Sequence, residues 1–152
     1  MTFNGKIEIY CDGACSGNQF STNVGGWGAV LVHDNKSESI HGGEKNTTNQ
    51  RMELTACIKA LEQIEAKDID VKVFSDSAYL VNCVNERWYD KWLSNGWRNA
   101  QKKPVENKDL WQRLLELVAQ SKVSFHKVDG HSDVDLNEMA DKLAQKGVEA
   151  TV

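Results

Sequence analysis

The 152-residue sequence contains few residues that stiffen or cross-link a chain. It has one proline (Pro104) and four cysteines, none of them in a CxxC pair. This spacing predicts buried free thiols rather than a disulfide framework, as expected in a reducing compartment. No apolar run approaches the roughly 18 residues that a membrane span needs, and residues 1–6 carry no apolar signal segment. We therefore expect a cytoplasmic protein with no membrane association.

An excess of positive charge is also lacking. The net charge is −4, with 26% charged and 40% hydrophobic residues, which is an ordinary globular composition. Charge over the whole chain therefore does not predict nucleic-acid binding, and any such binding needs a local basic patch. The length fits one core, and no repeat or linker divides it. We predict a single domain over residues 1–152, with a monomer as the default and no obligatory protein partner.

Hydrophobic periodicity predicts a mixed α/β layer structure. Apolar and polar residues alternate in three opening segments joined by short turns, which indicates antiparallel strands, and later segments alternate between helical and strand spacing. Asn107 is a predicted N-cap, and Gly147 is predicted to end the last helix. The predicted strands are 6–12, 28–33, 38–43, 70–75 and 123–128, and the predicted helices are 49–65, 77–84, 108–120 and 136–146. The sequence therefore predicts a five-stranded mixed sheet flanked by helices.

Four carboxylates stand out against this pattern. Asp12 and Asp76 end the first and fourth strands, so they meet at one edge if those strands are parallel neighbours. Glu53 lies on the apolar side of a helix, where a carboxylate is unfavourable unless paired or bound to metal. Asp141 lies beside the apolar stripe of the last helix. Carboxylates that converge repel one another, and hard divalent cations relieve that repulsion.

Each carboxylate also has a purely structural interpretation. A strand-end aspartate is usually a turn former, and Glu53 could interact with a helix dipole. Asp141 could be a solvated helix residue, like its neighbours Asp133 and Asp135. Spacing alone does not select Asp141 over these two.

Residues 87–103 form a locally basic segment. They contain five lysines and arginines against one acidic residue, Asp90, and carry Trp88, Trp92 and Trp97. Cations that contact phosphate, together with aromatics that pack on sugars or bases, suit a nucleic-acid surface. The alternative is that Trp88 and Trp92, four residues apart, form one packed helix face.

At these residues the sequence resembles ribonuclease H of the type 1 class, close to the bacterial catalytic domain. The resemblance spans nearly the whole chain, and its specificity comes from several short matches occurring in order. The matching segments are 10–18, 47–54, 75–77, the Trp-rich segment through 102–105, 109–114, 130–132 and 137–144. The resemblance implies the ribonuclease H-like fold, with three antiparallel strands followed by two parallel additions.

The resemblance also implies a chemistry. The metal-binding carboxylates of the family fall on Asp12, Glu53, Asp76 and Asp141, and the cofactor is two Mg²⁺ ions, for which Mn²⁺ can substitute. The implied reaction is endonucleolytic hydrolysis of the RNA strand of an RNA–DNA hybrid, leaving 5′-phosphate and 3′-hydroxyl ends. His131 matches a loop histidine that assists catalysis, although without the resemblance a solvated side chain is the simpler interpretation. An unperturbed imidazole suits proton transfer near neutral pH.

Contacts to the hybrid are implied by the same resemblance. The tryptophans of the basic segment, Trp88 and Trp92, match the channel for the DNA strand. Thr48 and Asn107 match a pocket for a DNA phosphate. The remaining matches, in the minor groove, are Asn18, Asn49 and Gln50. No N-terminal hybrid-binding module is expected, because the first strand begins within a few residues of Met1.

Two other functions fit parts of the pattern. One is a different nuclease or integrase-type activity on the same fold, against which the Trp-rich segment and the match over residues 47–54 argue. The other is a catalytically silent hybrid-binding module, against which the presence of all four carboxylates argues.

Overall fold

The computed structural model describes residues 6–16, 23–65, 67–128 and 135–151. The predicted order of elements is confirmed, with one short helix added in the Trp-rich segment. The strands are β1 (Lys6–Ser16), β2 (Val24–His33), β3 (Lys36–Lys45), β4 (Asp70–Ser75) and β5 (Lys122–Lys127). The helices are α1 (Asn49–Glu62), α2 (Ala78–Asn85), α3 (Tyr89–Asn95), α4 (Lys108–Val118) and α5 (Asp135–Thr151). None of the helices in these ranges is long and apolar enough to cross a bilayer.

The strands form one mixed sheet in the order β3-β2-β1-β4-β5. The first three strands pair antiparallel, whereas β4 joins β1 and β5 joins β4 in parallel. This confirms the predicted arrangement of three antiparallel strands and two parallel additions. Tyr10 pairs with Phe74, so Asp12 and Asp76 lie two residues further along two adjacent strands, at the same edge.

Helices cover the two faces of the sheet unequally. The larger core packs α1, α2 and α4 against one face and includes Trp111, whose side chain is fully buried. Burying a large apolar side chain stabilises the fold by about 1.5–3 kcal/mol, so this core supplies most of the hydrophobic stabilisation. On the other face α5 crosses β1, β2 and β3, where Tyr10, Val30 and Ala140 form a smaller core.

One predicted helix end is wrong, and another is confirmed in position but lacks the expected capping hydrogen bond. Helix α5 continues through Gly147 to Thr151. A Cβ atom on Gly147 would collide with the carbonyl oxygen of Gly42 on β3, so this glycine permits close helix–sheet packing and does not end the helix. Asn107 does precede α4, but it has a left-handed backbone (φ 62°) and its side chain makes no capping hydrogen bond.

We expect Gly147→Ala to destabilise the protein by about 2 kcal/mol, because the added methyl group overpacks the contact with β3. Helix propensity alone predicts the opposite sign, since alanine is favoured over glycine by about 1 kcal/mol. Urea unfolding measures the difference, with Lys146→Ala at the neighbouring exposed position as the control, expected to change stability by less than about 0.5 kcal/mol. A stabilising Gly147→Ala would contradict this account of α5.

Candidate active site

Three of the four predicted carboxylates converge where β1 and β4 end. One carboxylate oxygen each from Asp12, Glu53 and Asp76 can be chosen so that all three lie within 4.8 Å of one another. Asp12 is 5% exposed and Glu53 9% exposed, whereas Asp76 is half-buried. The parallel pairing of β1 with β4 supplies the two aspartates, and the first turns of α1 supply the glutamate.

Close packing at Gly13 brings Glu53 to the strand end. A Cβ atom on Gly13 would lie 2.5 Å from the backbone nitrogen of Glu53 and 2.7 Å from the carbonyl carbon of Met52. Only glycine therefore allows α1 to lie this close to β1. The Gly13 N–H also donates a hydrogen bond to Asp12 Oδ1 at 2.8 Å. The predicted first strand ended at Asp12, whereas β1 continues through Gly13 to Ser16, and neither role of Gly13 was predicted.

Two serines hold the backbone around Asp76. Ser75 is fully buried, and its hydroxyl oxygen accepts a hydrogen bond from the Ser77 N–H at 3.1 Å. The Ser77 hydroxyl in turn accepts from the Leu80 N–H at 3.1 Å and caps α2. The turn that carries Asp76 is thereby tied to the sheet on one side and to a helix on the other. The sequence prediction matched this segment without assigning roles to its serines.

Burial and mutual repulsion make the group electrostatically unfavourable when it is fully ionised. Burial, followed by repulsion from Asp76 and Asp141, raises the pKa of Asp12 to about 7, while hydrogen bonds from Glu53 and Gly13 act in the opposite direction. Burial and then the charges of Asp12 and Asp76 hold the pKa of Glu53 well above its usual range.

An unsatisfied oxygen marks where a cation fits. Glu53 Oε2 is buried and has no hydrogen-bond partner among the described residues. Such an oxygen costs free energy unless a partner compensates it, and the other two side chains of this group are carboxylates, which can only accept when ionised. The atoms of this group that could bind a metal are all carboxylate oxygens, and hard divalent cations such as Mg²⁺ prefer oxygen ligands. The residues therefore fit a divalent metal centre.

Asp141 lies beside this group rather than within it. Its side chain is exposed on α5, outside the set of three, yet its charge still contributes to raising the pKa of Asp12. Helix α5 comes close at this point because Gly28, which pairs with Asp12 across β1 and β2, lacks a side chain. A Cβ atom there would collide with Leu143 and with the carbonyl of Ala140.

Of the predicted site residues in loops and at the start of α1, the structure describes some and not others. His131 and Asn18 lie outside the described residues. Asn49 and Gln50 are both exposed in the first turn of α1, at the same end of the helix as Glu53.

Arg51 links the two residues predicted to bind a DNA phosphate. Its backbone N–H donates to the Thr48 hydroxyl at 3.1 Å, and its guanidinium donates to Asn107 Oδ1 at 3.3 Å. The guanidinium also forms a two-pronged ion pair with Asp109, whose shorter contact is 2.8 Å. The structure thus brings Thr48 and Asn107 to one place. The sequence prediction did not identify the arginine that joins them.

The tryptophans of the basic segment have two different environments. Trp92 is half-buried, and its ring centroid lies 5.7 Å from that of Trp97 and 5.8 Å from that of Trp111. Trp88 precedes α3 and is 40% exposed. The interpretation as one packed face therefore holds for Trp92 and is wrong for Trp88.

A cleft of about 530 Å³ opens beside Trp88 and Trp92, and its lining includes the cations Arg87, Lys91 and Arg98 and the acidic Glu86. The one acidic residue of the segment, Asp90, forms an ion pair with Arg87 at 2.8 Å. Within the described residues Lys91 and Arg98 make no ion pair, so their charges are available to a polyanion.

Comparison with known proteins gives the family. The sequence matches the family model described as RNase H over residues 4–149. It is 50% identical over 142 residues to a protein named ribonuclease H from Chlorobaculum parvum, covering 93% of this chain and 94% of that one. It also resembles the crystal structure of LC9-RNase H1, described as a type 1 RNase H with the type 2 active-site motif. That similarity has a TM-score of 0.85 and 27% identity, and covers 97% of this chain and 74% of the other.

A foamy viral protease–reverse transcriptase, solved in complex with an RNA/DNA hybrid, has the same fold. It matches with a TM-score of 0.80 at 24% identity, covering 95% of this chain and 20% of the viral one. The family match extends over almost the whole chain, and the Chlorobaculum parvum relative aligns over nearly its full length. The chain therefore belongs to the ribonuclease H family of nucleases.

Proposed function

We propose that this protein is an endonuclease that hydrolyses the RNA strand of RNA–DNA hybrids and leaves 5′-phosphate and 3′-hydroxyl ends. The observation that carries the proposal is the buried group of Asp12, Glu53 and Asp76, whose oxygens converge within 4.8 Å. Family membership supports the choice of nucleic-acid chemistry for this group. The foamy viral neighbour, which was solved in complex with an RNA/DNA hybrid, supports the choice of this substrate.

The proposed cofactor is a pair of Mg²⁺ ions, for which Mn²⁺ can substitute. Asp12, Glu53 and Asp76 would hold both ions, and Asp141, whose charge reaches Asp12 from α5, would complete the second site. Bound divalent ions supply an activated water and stabilise the leaving oxygen of an in-line displacement. The chain's contribution is to fix the carboxylates on two strands and two helices. His131 is proposed to assist proton transfer.

Contacts to the hybrid are proposed on both sides of the carboxylates. Thr48, Asn107 and the Arg51 that joins them offer hydroxyl, amide and guanidinium donors to a DNA phosphate. Trp88 and the unpaired cations of its cleft would pack along the same strand. Trp92 is proposed to line the channel for the DNA strand together with Trp88. Further contacts in the minor groove, where the 2′-hydroxyl distinguishes RNA from DNA, are proposed for Asn18, Asn49 and Gln50.

We further infer that the protein acts in the cytoplasm as a monomeric single domain. Composition and cysteine chemistry support this inference. Cys11, Cys57 and Cys83 are buried as free thiols and Cys15 is half-buried, which fits a reducing compartment.

Substitution of one carboxylate tests the proposed reaction. Wild-type protein with Mg²⁺ or Mn²⁺ should cut labelled RNA–DNA hybrid but not double-stranded RNA or DNA. Asp12→Asn should lower the rate at least about 10³-fold, because loss of a metal-holding charge removes several kcal/mol of transition-state stabilisation. Asp68→Asn, in a turn where asparagine tolerates the left-handed backbone (φ 60°), is the matched control and should keep wild-type activity.

Folded wild-type protein that binds the hybrid without cutting it would contradict the proposal and favour a silent binding module. Equal cleavage of all three duplexes would instead indicate another nuclease activity on this fold.

The raised pKa of Asp12 predicts an unusual pH dependence of stability. A carboxyl whose pKa is about 7 in the folded protein and near 3.9 when unfolded binds protons more tightly in the fold. The stability of the metal-free protein should therefore fall as pH rises from about 4 to 7 and then level off. In EDTA we expect a Tm at pH 8 at least about 4 °C below that at pH 5.

Mg²⁺ should recover most of this loss at pH 8 and little at pH 5, because the cation compensates only the ionised carboxylates. Asp12→Asn should flatten both the pH dependence and the response to Mg²⁺, whereas Asp68→Asn should reproduce the wild-type curves. An equal rise in Tm with Mg²⁺ in the wild type and in Asp12→Asn would place the ions elsewhere. Differential scanning calorimetry at pH 5 and pH 8, with EDTA or with Mg²⁺, measures these Tm values.

The two tryptophan environments predict two different mutant phenotypes. Trp88→Ala should raise the KM for hybrid about five- to tenfold and change stability by less than about 1 kcal/mol, since an exposed ring contributes mainly to stacking. Trp92→Ala should destabilise the fold by about 3 kcal/mol, since it opens a cavity beside Trp97 and Trp111. Urea unfolding and steady-state kinetics on both variants separate these effects. A raised KM in Trp92→Ala together with a loss of stability in Trp88→Ala would show that Trp92 is the ring that contacts the hybrid.

A further inference from the structure

Helix α5 leaves part of its own sheet face uncovered. It crosses β1, β2 and β3, while β4 and β5 extend beyond it on the same face. Exposure increases across this region. Tyr10 on β1 is 8% exposed, Phe74 on β4 is half-buried and His126 on β5 is exposed. Within the described residues, the cover that α5 gives to this face of the sheet therefore ends near Phe74 on β4.

These three rings form a stacked column across the strands. They are paired in register, and the ring centroids of Tyr10 and Phe74 lie 4.8 Å apart with planes 12° from parallel. Those of Phe74 and His126 lie 5.3 Å apart at 28°. Because β5 is the edge strand of the described sheet, none of the described strands continues the column beyond His126. The Ser124 hydroxyl lies 2.9 Å from His126 Nε2, which restrains the imidazole. A flat ring from another molecule can extend such a stack.

Basic side chains lie beside the column on the same face. Lys72 sits one same-face position before Phe74, and a hollow of about 350 Å³ lies next to it at the beginning of the strands. Its polar lining consists of Lys6, Asp70, Lys72, Lys122 and Ser124. In the described part of the chain none of the three lysines has an acidic partner within 4 Å. The two acidic residues here are Asp70 and Glu8. Glu8 accepts a hydrogen bond from the Tyr10 hydroxyl at 3.0 Å.

The column is continuous with the candidate active site. Asp12 follows Tyr10 by two residues on β1, and Asp76 follows Phe74 by two residues, one position past the end of β4. Two residues of strand span about 6.6 Å, which is close to the distance between successive phosphates in an extended nucleic-acid strand. A strand that leaves the carboxylates along β4 therefore meets the column after about one nucleotide.

We propose that this surface, formed by the column Tyr10–Phe74–His126 and by Lys6, Lys72 and Lys122, binds an unpaired nucleic-acid strand that extends from the hybrid. A base stacks on the outer face of His126, and the lysines contact the phosphates of the neighbouring nucleotides. An acidic peptide would match the lysines but would leave the stacked rings unused, so the combination favours nucleic acid. The placing of the tail relative to the hybrid rests on the proposed function, whereas the stacking and the charge do not.

The test compares hybrids with and without an unpaired tail. Proteins carrying Asp12→Asn, so that substrate is not consumed, are titrated by fluorescence anisotropy into a blunt hybrid and into hybrids with a six-nucleotide RNA or DNA tail at either end. The chosen tail length exceeds the roughly one nucleotide between the carboxylates and the column. Isolated single-stranded RNA and DNA oligonucleotides are measured alongside. In the parent we expect the favourable tail to tighten binding about tenfold, within the range for stacking one base on one aromatic ring.

Variants on the column assign the effect. His126→Ala should remove the gain from the tail, and His126→Phe should retain it, because phenylalanine keeps a stacking face without the imidazole nitrogens. For binding of the tail, a plot of the logarithm of the binding constant against the logarithm of the salt concentration has a negative slope. Lys72→Ala should make that slope shallower by about one unit. Lys146→Ala, an exposed lysine on α5 away from this surface, should behave like the parent. Thermal unfolding confirms that each variant is folded, and if His126→Ala does not fold, His126→Phe and Lys72→Ala carry the test.

Equal affinity for blunt and tailed hybrids in the parent would overturn the proposal, as would a tail effect that survives His126→Ala. Binding of an acidic peptide but of no single strand, lost in Lys72→Ala, would assign the surface to a protein and also overturn it. Cleavage of the blunt hybrid by protein with Asp12 intact reports separately on the proposed function. Failure of the tail effect with intact cleavage is thus distinguishable from failure of both.

Discussion

Mutual repulsion among buried carboxylates is the constraint around which this fold is arranged. Asp12, Glu53 and Asp76 place negative oxygens within 4.8 Å of one another, and burial removes the water that would otherwise screen their charges. Ordinary loops would relax away from such an arrangement. Here each carboxylate is fixed by an element with its own independent stabilisation. The sheet, α1 and the capped start of α2 hold the group together against the repulsion, and this is the state in which a cation binds most favourably.

Close approach between elements, rather than attraction between the carboxylates, makes that arrangement possible. Gly13 allows α1 to lie against β1, and Gly28 allows α5 to lie against the same part of the sheet from the other face. The larger core on one face and the smaller core under α5 supply the free energy that holds these contacts. Side chains at both glycines would push Glu53 and Asp141 away from Asp12. The candidate site is therefore as sensitive to packing as to the identity of its acidic residues.

The sequence predicted the layers of the fold well, because alternation and helical spacing reflect which face of each element is buried. Spacing placed Asp12 beside Asp76 only on the condition that β1 and β4 are parallel neighbours. The resemblance implied that arrangement, and the structure confirms it. Contacts that depend on tertiary distance could not be predicted in this way. Gly147 has the same local signature whether it ends a helix or packs against a strand, and only the position of Gly42 distinguishes the two. For the same reason, spacing alone could not select Asp141, and Arg51 gave no sign that it would join Thr48 to Asn107.

The parallel pairing of β1 with β4 also has a consequence for how the molecule folds. Residues 17–69 separate the two strands, so this pairing closes a long loop and has a high sequence separation. Pairings of this kind form slowly, because the chain loses conformational entropy on closing the loop before the new contacts contribute favourable free energy. Asp12 and Glu53 emerge from the ribosome well before Asp76, and α5 is the last helix to be made. The repelling charges consequently meet only after β4 has joined β1, and a nascent chain that ends before Asp76 lacks one of the three carboxylates of the candidate site.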